Sequence, residues 1–207
     1  ATVQTACVAG TYNPSNGSIE SNDCLSADPG NSVPMDGSPY QTPCTEGHYQ
    51  PYSGQTSCLD ADPGHYVNSS GATSQDQCAL GHYQPYSGQT SCSDSDSGHY
   101  VDVVAASSQT PCPQGTYNLN TGSTSSSECI AADSGHHVPT EGSADQVECP
   151  AGTYQNQAGQ SACTEVEPGH YTDSPASVQP SECPAGTYQP QAGQTSCVDA
   201  QPGHYVS

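Results

Sequence analysis

Short runs of alternating polarity recur along the chain and predict β-hairpins rather than helices. Each run has the form Gly-x-Tyr, as in Gly186-Thr187-Tyr188, and a Pro- and Gly-rich turn follows it. Thr and Tyr favour strands, and Pro with Gly favours a turn. The Gly-x-Tyr run and the Gly-Gln-Thr-Ser-Cys run beyond the turn are therefore the two expected strands of a small hairpin. No stretch has the i, i+3, i+4 apolar spacing of a helix of useful length.

The hairpin motif, typified by Cys183 to Cys197 (CPAGTYQPQAGQTSC), recurs from one end of the chain to the other. Gaps between successive cysteines alternate between 14 or 17 and a constant 20 residues, so the repeat is 34 or 37 residues long. A fixed period of this length is typical of repeat architectures. The chain ends within a repeat, so we expect it to be a segment of a longer array. The predicted segments are a lead-in, 1–6, and repeats 7–43, 44–77, 78–111, 112–148, 149–182 and the truncated 183–207.

Each repeat divides into two related half-repeats, which we number 1 to 12 from the N-terminus. The odd-numbered, or stapled, half-repeats contain both cysteines, whereas the even-numbered, or cysteine-free, half-repeats keep the Gly-x-Tyr frame and contain neither. In half-repeat 4, for example, Ala61 stands where the first cysteine is expected. Cysteines that are lost as a pair are expected to bond to each other.

The predicted disulfides are therefore local to each stapled half-repeat. A staple that closes a loop of about 15 residues contributes about 3 kcal/mol on the chain-entropy model. The alternative pairing joins neighbouring repeats across the 20-residue gap, as in Cys24–Cys44, and leaves Cys7 and Cys197 unpaired. The predicted local pairs are Cys7–Cys24, Cys44–Cys58, Cys78–Cys92, Cys112–Cys129, Cys149–Cys163 and Cys183–Cys197.

The composition favours stapled modules over one large core. Hydrophobic residues make up 31% of the chain, a figure that includes 12 Cys and 13 Tyr, and there is no Phe or Trp. Without cross-links so little apolar surface would leave the chain disordered. Dense, evenly spaced cysteines are typical of small modules in an oxidising compartment. The predicted fold is all-β and irregular, an elongated, disulfide-stapled tandem array of small β-hairpins, secreted or at the cell surface.

All the charged side chains are acidic, and this excludes anionic partners such as nucleic acids. There are 21 acidic residues and no Lys or Arg, which gives a net charge of −21. Binding to phosphate backbones or anionic membranes needs cationic side chains, so we expect no nucleic-acid partner. No apolar run approaches the roughly 20 residues of a spanning helix, so we expect no direct membrane insertion.

Acidic turns suggest a structural calcium site, the one cofactor that the sequence offers. Asp60 with Asp62, and Asp94 with Asp96, place two carboxylates just before a glycine, and Glu165 with Glu167 has the same spacing. Calcium takes six to eight oxygen ligands, and no full Asp-x-Asp-x-Asp-Gly loop is present. Solvated turns are the alternative interpretation.

Two sequons predict attached glycans. Asn16-Gly17-Ser18 and Asn68-Ser69-Ser70 both fall on predicted turns. The Asn-x-Ser/Thr pattern is the acceptor for N-glycosylation of secreted proteins. We expect Asn16 and Asn68 to be glycosylated.

The Gly, His and Tyr of the motif recur in register and are expected to be structural. The glycine, present in all twelve half-repeats, marks either positive φ or close backbone contact. The tyrosine, replaced only by Ser32 and His137, is expected to cover the disulfides, with a sugar-stacking face as the alternative. The histidine is expected to face solvent as a polar residue exchangeable with Thr; a periodic His row that binds transition metals or responds to pH is the alternative.

The pattern Cys-x-x-Gly-x-Tyr…Gly-x-x-x-Cys, followed by another Gly-x-Tyr, resembles the ephrin-receptor-like cysteine-rich repeats, which are similar in size to EGF modules. CPAGTYQPQAGQTSC is a close match, and the resemblance covers essentially the whole chain. It implies an extracellular location, disulfides and a role in adhesion or scaffolding, and it implies no chemistry. The chain departs from the family pattern at every second half-repeat, where residues such as Ala61 and Ala200 replace the cysteines, which favours the local pairing.

These features predict a structural protein rather than an enzyme. Every Ser, His and Asp that could serve in catalysis recurs with the repeat, as expected of a scaffold. The leading hypothesis is a glycosylated subunit of an extracellular filament, cell-surface hair or matrix, with copies of itself as partners. The alternative is the ectodomain stalk or binding module of an adhesion receptor, with calcium or glycan as its ligand.

Overall fold

A chain of small two-stranded sheets makes up the protein. The computed structural model describes residues 3–206, so Ala1 and Thr2 of the lead-in and Ser207 of the last repeat lie outside the described residues. Within that range eleven antiparallel hairpins follow one another, each made of two-residue strands, β1 to β22 in chain order. The only helical segments there are two 3₁₀ turns, Ser21–Asp23 and Ser126–Glu128. The predicted all-β, disulfide-stapled array of hairpins is confirmed.

Each hairpin lies within one half-repeat. In the stapled half-repeats the paired strands are Thr11–Tyr12 with Leu25–Ser26, His48–Tyr49 with Leu59–Asp60, His82–Tyr83 with Ser93–Asp94, Thr116–Tyr117 with Ile130–Ala131, Thr153–Tyr154 with Thr164–Glu165, and Thr187–Tyr188 with Val198–Asp199. In the cysteine-free half-repeats they are Asn31–Ser32 with Thr42–Pro43, His65–Tyr66 with Asp76–Gln77, His99–Tyr100 with Thr110–Pro111, His136–His137 with Val147–Glu148, and His170–Tyr171 with Ser181–Glu182.

The position of the second strand differs from the sequence prediction. The Gly-Gln-Thr-Ser-Cys run is not a strand; the second strand begins directly after its cysteine, as at Leu59–Asp60. Gly54, the first residue of that run, has φ 70° and turns the chain. Its N–H donates to the carbonyl of Ala27 in the preceding half-repeat, at 2.8 Å. The run therefore bonds to a neighbouring half-repeat instead of to its own Gly-x-Tyr strand.

Successive half-repeats are joined by a recurring ladder of backbone hydrogen bonds. The amide of Gly47 donates to the carbonyl of Val67 in the next half-repeat, at 2.8 Å, and the amide of Gly71 donates back to the carbonyl of Cys44, at 2.7 Å. Equivalent bonds recur along the chain with similar distances. Buried backbone N–H and C=O groups need hydrogen-bond partners, and each half-repeat supplies such partners to the backbone of the next one.

The glycine of Gly-x-Tyr also touches the second neighbour along the chain. Gly64 has φ 80°, and a Cβ on it would overlap the carbonyl oxygen of Ala105, two half-repeats further on. Gly10 and Gly135 lie in the same way against Gly54 and Ala176. Positive φ and close backbone contact, the two reasons for a repeated glycine, therefore act together.

Most of the buried side chains come from two positions of the half-repeat. The first residue is buried whether it is Cys44 (1% exposed) or Ala61 (0% exposed). The third residue after the glycine is the other buried position. Stapled half-repeats bury an amide there, as at Gln50 and Asn118, whereas the cysteine-free ones bury a β-branched side chain, Val in most of them, as at Val67, and Thr at Thr172.

The described chain divides into two compact units. Unit 1 comprises Ala1–Asp94 and Val103–Gln109, and unit 2 comprises Ser95–Asp102 and Thr110–Ser207. Each unit contains the ladder and the glycine contacts described above. No helix in residues 3–206 is long and apolar enough to cross a membrane.

Candidate functional site

The disulfides join the two cysteines of each stapled half-repeat. All twelve cysteines are paired, and none of the six bonds crosses a 20-residue gap. The paired Cα atoms lie 5.7 or 5.8 Å apart, which is the usual separation. The structure thus has the local pairing, Cys7–Cys24 through Cys183–Cys197.

In three cysteine-free half-repeats a glutamine at the place of the second cysteine bonds to the aspartate that follows the place of the first cysteine. In half-repeat 4 the Gln75 Nε2 donates to the Asp62 carboxylate at 2.7 Å, and the Asp62 backbone N–H donates to the Gln75 side-chain Oε1 at 2.6 Å. Asp28 with Gln41 and Asp133 with Gln146 form the same pair.

These glutamines were missed by sequence reasoning, although a signal was present. Gln75 stands eleven residues after Gly64, which is the distance from Gly47 to Cys58 in the stapled half-repeat before it. Aligning the two kinds of half-repeat beyond the turn would have placed the glutamine on the second cysteine. The cysteine-free half-repeats are therefore cross-linked too, by hydrogen bonds.

The candidate calcium ligands have separate protein partners. Asp60 lies 3.1 Å from the His48 Nε2, and Asp94 lies 3.0 Å from the His82 Nε2, across their hairpins. The Asp62 carboxylate is held by Gln75 instead. Asp96 is exposed and takes part in further interactions. The structure does not join either pair of aspartates into a cluster of three or more acidic groups within residues 3–206, and the calcium site stays a prediction.

The two predicted glycosylation sites are accessible. Asn16 and Asn68 are both exposed and lie in the turns that follow a first strand. Ser70, the third residue of the second sequon, donates its hydroxyl to the carbonyl of Cys44 at 2.9 Å. The attachment of a glycan to either asparagine stays a prediction.

The residue between Gly and Tyr bonds to the turn that precedes it. His82 Nδ1 lies 2.9 Å from the carbonyl of Leu80, and Thr187 donates its hydroxyl to the carbonyl of Pro184 at 2.8 Å. Most of the other histidines and threonines at this position repeat the contact. Both side chains hydrogen-bond to a backbone carbonyl of the same turn. The exchange of His for Thr in the motif therefore has a structural reason. The rings are half-buried rather than fully in solvent.

The motif tyrosines are mostly half-buried, as expected of a covering residue. Tyr117 is only 9% exposed, whereas Tyr52 and Tyr86, which lie outside the motif position, are 67% and 69% exposed. Burial raises the pKa of the Tyr49 hydroxyl, and the nearby Asp62 carboxylate raises that pKa further. Tyr49 therefore stays neutral at ordinary pH.

One of the two positions where the motif tyrosine is replaced brings potential metal ligands together. His137 Nδ1 lies 3.1 Å from the Sγ of Cys163. The ligand atoms of His137, Cys149 and Cys163 all lie within 4.8 Å of one another, the one such group of three within residues 3–206. At the other replaced position the Ser32 Oγ lies 3.7 Å from the Sγ of Cys58.

The contacts of these groups recur with the repeat. His48 with Asp60 and His82 with Asp94 pair across their own hairpins, and most motif histidines make the same contact with the turn before them.

Two segments of the chain match the model of a known family. The family model described as "Tyrosine-protein kinase ephrin type A/B receptor-like" matches residues 41–78 and 135–183. No curated protein matches the chain. The matched family and the six disulfides fit an extracellular or cell-surface protein. These two segments are therefore similar to the ephrin-receptor-like cysteine-rich repeats, and the rest of the chain repeats their Cys, Gly and Tyr pattern.

Proposed function

We propose that the chain is a structural module of a receptor-type ectodomain, a stalk that holds the segments attached to it in place. The observation that carries this proposal is the ladder of backbone hydrogen bonds that joins each half-repeat to the next. In unit 1 it includes Gly47 to Val67 at 2.8 Å, and in unit 2 Gly135 to Gln155 at 2.7 Å. A stalk must transmit force from one repeat to the next, and a ladder of this kind ties every repeat to its neighbours.

The staples add to the mechanical argument. Each disulfide closes 14 or 17 residues, and that part of the chain cannot extend while the bond is intact. The cysteine-free half-repeats between staples are cross-linked by weaker contacts, such as Gln75 with Asp62. Under tension the array would lengthen only in these half-repeats and in the connections.

Single-molecule stretching of the whole chain tests the stalk. We expect discrete unfolding steps, because the ladder makes neighbouring half-repeats open together. After reduction, each 14-residue loop should add roughly 40 Å of extension, from about 3.4 Å per residue less the distance already spanned. Gradual extension at low force without steps would contradict the proposal.

Ligand binding separates a passive stalk from the binding module of the sequence hypothesis. Calorimetry with Ca²⁺ and a glycan array are the two measurements. A stalk binds neither ligand beyond weak association with its carboxylates. Saturable binding of one Ca²⁺ that is lost in Asp60→Asn together with Asp62→Asn would favour the binding module instead.

Self-association into a filament is a second candidate, and the turn tips of unit 1 favour it. The fifth residue after the motif glycine is exposed in half-repeats 1 to 11, and in unit 1 it includes Met35, Tyr52, Tyr86 and Val103, which are 71%, 67%, 69% and 59% exposed. Ser15 and Ser69 are the polar members of this set. In unit 2 the same position is polar throughout: Asn120, Thr140, Gln157, Ser174 and Gln191.

Apolar tips on one unit suit contact between copies of a strongly acidic chain. A net charge of −21 opposes association, and uncharged apolar tips are where copies can approach with least repulsion. Sedimentation velocity at rising concentration measures this. Tyr52→Ser with Tyr86→Ser should keep the protein monomeric if the tips associate, while Gln157→Ser with Gln191→Ser, the matched change in unit 2, should have no effect. A wild-type chain that stays monomeric at millimolar concentration would exclude the filament.

A further inference from the structure

His137 gives one of the six disulfides a neighbour that the others lack. The motif position it occupies holds Tyr in ten half-repeats and Ser in one. Its Nδ1 lies 3.1 Å from the Sγ of Cys163 and 3.2 Å from the carbonyl of Val147. The imidazole is thus directed at the sulfur of the next half-repeat. Ser32, in the equivalent place, offers only a hydroxyl at 3.7 Å from Cys58.

We propose that His137, Cys149 and Cys163 form a binding site for a thiophilic d¹⁰ cation, of the class of Zn²⁺, Cd²⁺ and Cu⁺, once the Cys149–Cys163 disulfide is reduced. The three ligand atoms already lie within 4.8 Å of one another. Two thiolates and one imidazole make a Cys₂His set, and such sets hold tetrahedral zinc with a fourth position open to water. In the disulfide the two sulfur atoms are bonded to each other, and reduction makes both of them available as metal ligands.

The backbone keeps the ligands in place when the S–S bond is broken. Cys149 donates its N–H to the carbonyl of Gly135 at 2.9 Å, and its own carbonyl accepts the N–H of Ala176 at 2.8 Å. Cys163 directly precedes the strand Thr164–Glu165, which pairs with Thr153–Tyr154. Both cysteines are therefore positioned by hydrogen bonds that do not depend on the disulfide.

The redox step balances with a dithiol as the reductant. The dithiol gives up two electrons and two protons and becomes a cyclic disulfide, and the protein gains two thiols as the S–S bond breaks. When the cation binds, Cys149 and Cys163 each release a proton and become thiolates. With the cation bound, the proton of His137 would reside on Nε2, so that Nδ1 presents its lone pair to the metal and gives up its contact with the Val147 carbonyl.

The surroundings favour a cation. The chain contains no Lys or Arg and has a net charge of −21, so no side-chain ammonium or guanidinium competes for the thiolates. A negative field raises the local concentration of cations. Cys149 is fully buried, and Cys163 is half-buried, so the cation would reach the site from the side of Cys163.

Differential alkylation of the full chain tests this site with Cd²⁺ as the probe. The protein is treated with a water-soluble phosphine, which reduces disulfides as water converts it to the phosphine oxide, until one disulfide per chain is open, in the presence of Cd²⁺. A light reagent then labels free thiols, and after chelation a heavy reagent labels the thiols that the metal protected. Mass spectrometry locates both labels, and the near-ultraviolet sulfur-to-cadmium absorption band reports thiolate coordination.

Two variants make the test specific to His137. His137→Tyr restores the residue that most half-repeats have, and Ser32→His moves the imidazole to the equivalent place beside Cys44 and Cys58. The proposal expects heavy label enriched at Cys149 and Cys163, about tenfold lower protection in His137→Tyr, and a second protected pair at Cys44 and Cys58 in Ser32→His.

Other outcomes would overturn the site. Protection spread evenly over all six pairs means that any open staple binds cadmium, and the imidazole then has no role. Equal protection in the wild type and in His137→Tyr means the same. The absence of the absorption band in the wild type would show that reduction leaves no ligand set for the metal.

Discussion

The side-chain amide of Gln75, which occupies the register of Cys58 in the preceding half-repeat, donates to the carboxylate of Asp62 at 2.7 Å. The Asp62 N–H donates back to the same glutamine at 2.6 Å. One repeat thus alternates a covalent cross-link with a hydrogen-bonded one. Together with the buried Ala61 and Val67, this pair explains how a half-repeat without cysteines keeps the hairpin of its stapled neighbour.

Removing the amide should weaken half-repeat 4 measurably. Gln75→Ala deletes two hydrogen bonds and should lower the free energy of unfolding by about 1 kcal/mol, since the pair is partly exposed. Gln77→Ala is the matched control, because Gln77 is exposed on the neighbouring strand and should change stability little. Urea denaturation followed by circular dichroism measures both. Equal stability of the two variants would show that the pair contributes nothing.

The same register should accept a seventh disulfide. Ala61→Cys with Gln75→Cys places two cysteines at the positions of Cys44 and Cys58, with the same loop of 14 residues. The new bond should form on oxidative folding and stabilise the protein by up to about 3 kcal/mol, less the contribution of the lost Asp62 pair. Thiol counting by mass spectrometry checks formation. Two free thiols after folding would contradict the equivalence of the two kinds of half-repeat.

A methyl group on Gly64 should disrupt the contact between second neighbours. The added Cβ would overlap the Ala105 carbonyl oxygen at a φ of 80°, so Gly64→Ala should cost roughly 3 kcal/mol or more. Gly17→Ala is the control, because Gly17 also has positive φ but nothing lies within 4 Å of its Cβ position. It should cost only about 1 kcal/mol. Thermal denaturation of both variants distinguishes packing from backbone strain, and equal melting temperatures would refute the close approach.

Protonation of Glu128 at acidic pH should lower the free energy of unfolding of half-repeat 7. The Thr124 N–H donates to this carboxylate at 2.8 Å, and that hydrogen bond, followed by one from the Ser123 hydroxyl, lowers the pKa of Glu128. A lowered pKa in the folded state means that the stabilisation is present above the unfolded-state pKa and is lost as pH falls through the folded-state value.

The corresponding experiment compares acid unfolding curves. Glu128→Gln should reduce the decline of stability below about pH 4.5, near the carboxyl's unfolded-state pKa. Glu141→Gln, an exposed acid without a hydrogen-bond partner in the described residues, should leave the curve unchanged. Identical curves for Glu128→Gln and the wild type would rule out the effect.

Much of the fold could be predicted because the signals are local. Gly-x-Tyr followed by Pro and Gly predicts a hairpin within each half-repeat, and the paired loss of cysteines predicts which of them bond. The second strand was placed too early, since Gly54 turns the chain and its N–H bonds to Ala27 in another half-repeat. Sequence alone does not show which half-repeat supplies the hydrogen-bond partner of a given backbone N–H or C=O group.

The remaining features depend on contacts between half-repeats. The approach of Gly64 to Ala105 spans two half-repeats, and the contact of His137 with Cys163 crosses from one half-repeat to the next. The calcium hypothesis assumed that neighbouring aspartates act together, but Asp60 faces His48 across its hairpin and Asp62 binds Gln75. The spacing of residues along the sequence suggests candidate ligands. Which partner each side chain contacts depends on its cross-strand neighbours.

Native-state hydrogen exchange tests the central claim most directly, namely that neighbouring half-repeats stabilise one another through the backbone ladder. The amides of Gly64 and Val67 in cysteine-free half-repeat 4 donate to Gln84 and Gln89 of the next half-repeat. We predict that these amides open with the same free energy as that of Gly47 in stapled half-repeat 3, because shared hydrogen bonds make the half-repeats open together. Rapid exchange at Gly64 and Val67, while Gly47 stays protected, would contradict the account.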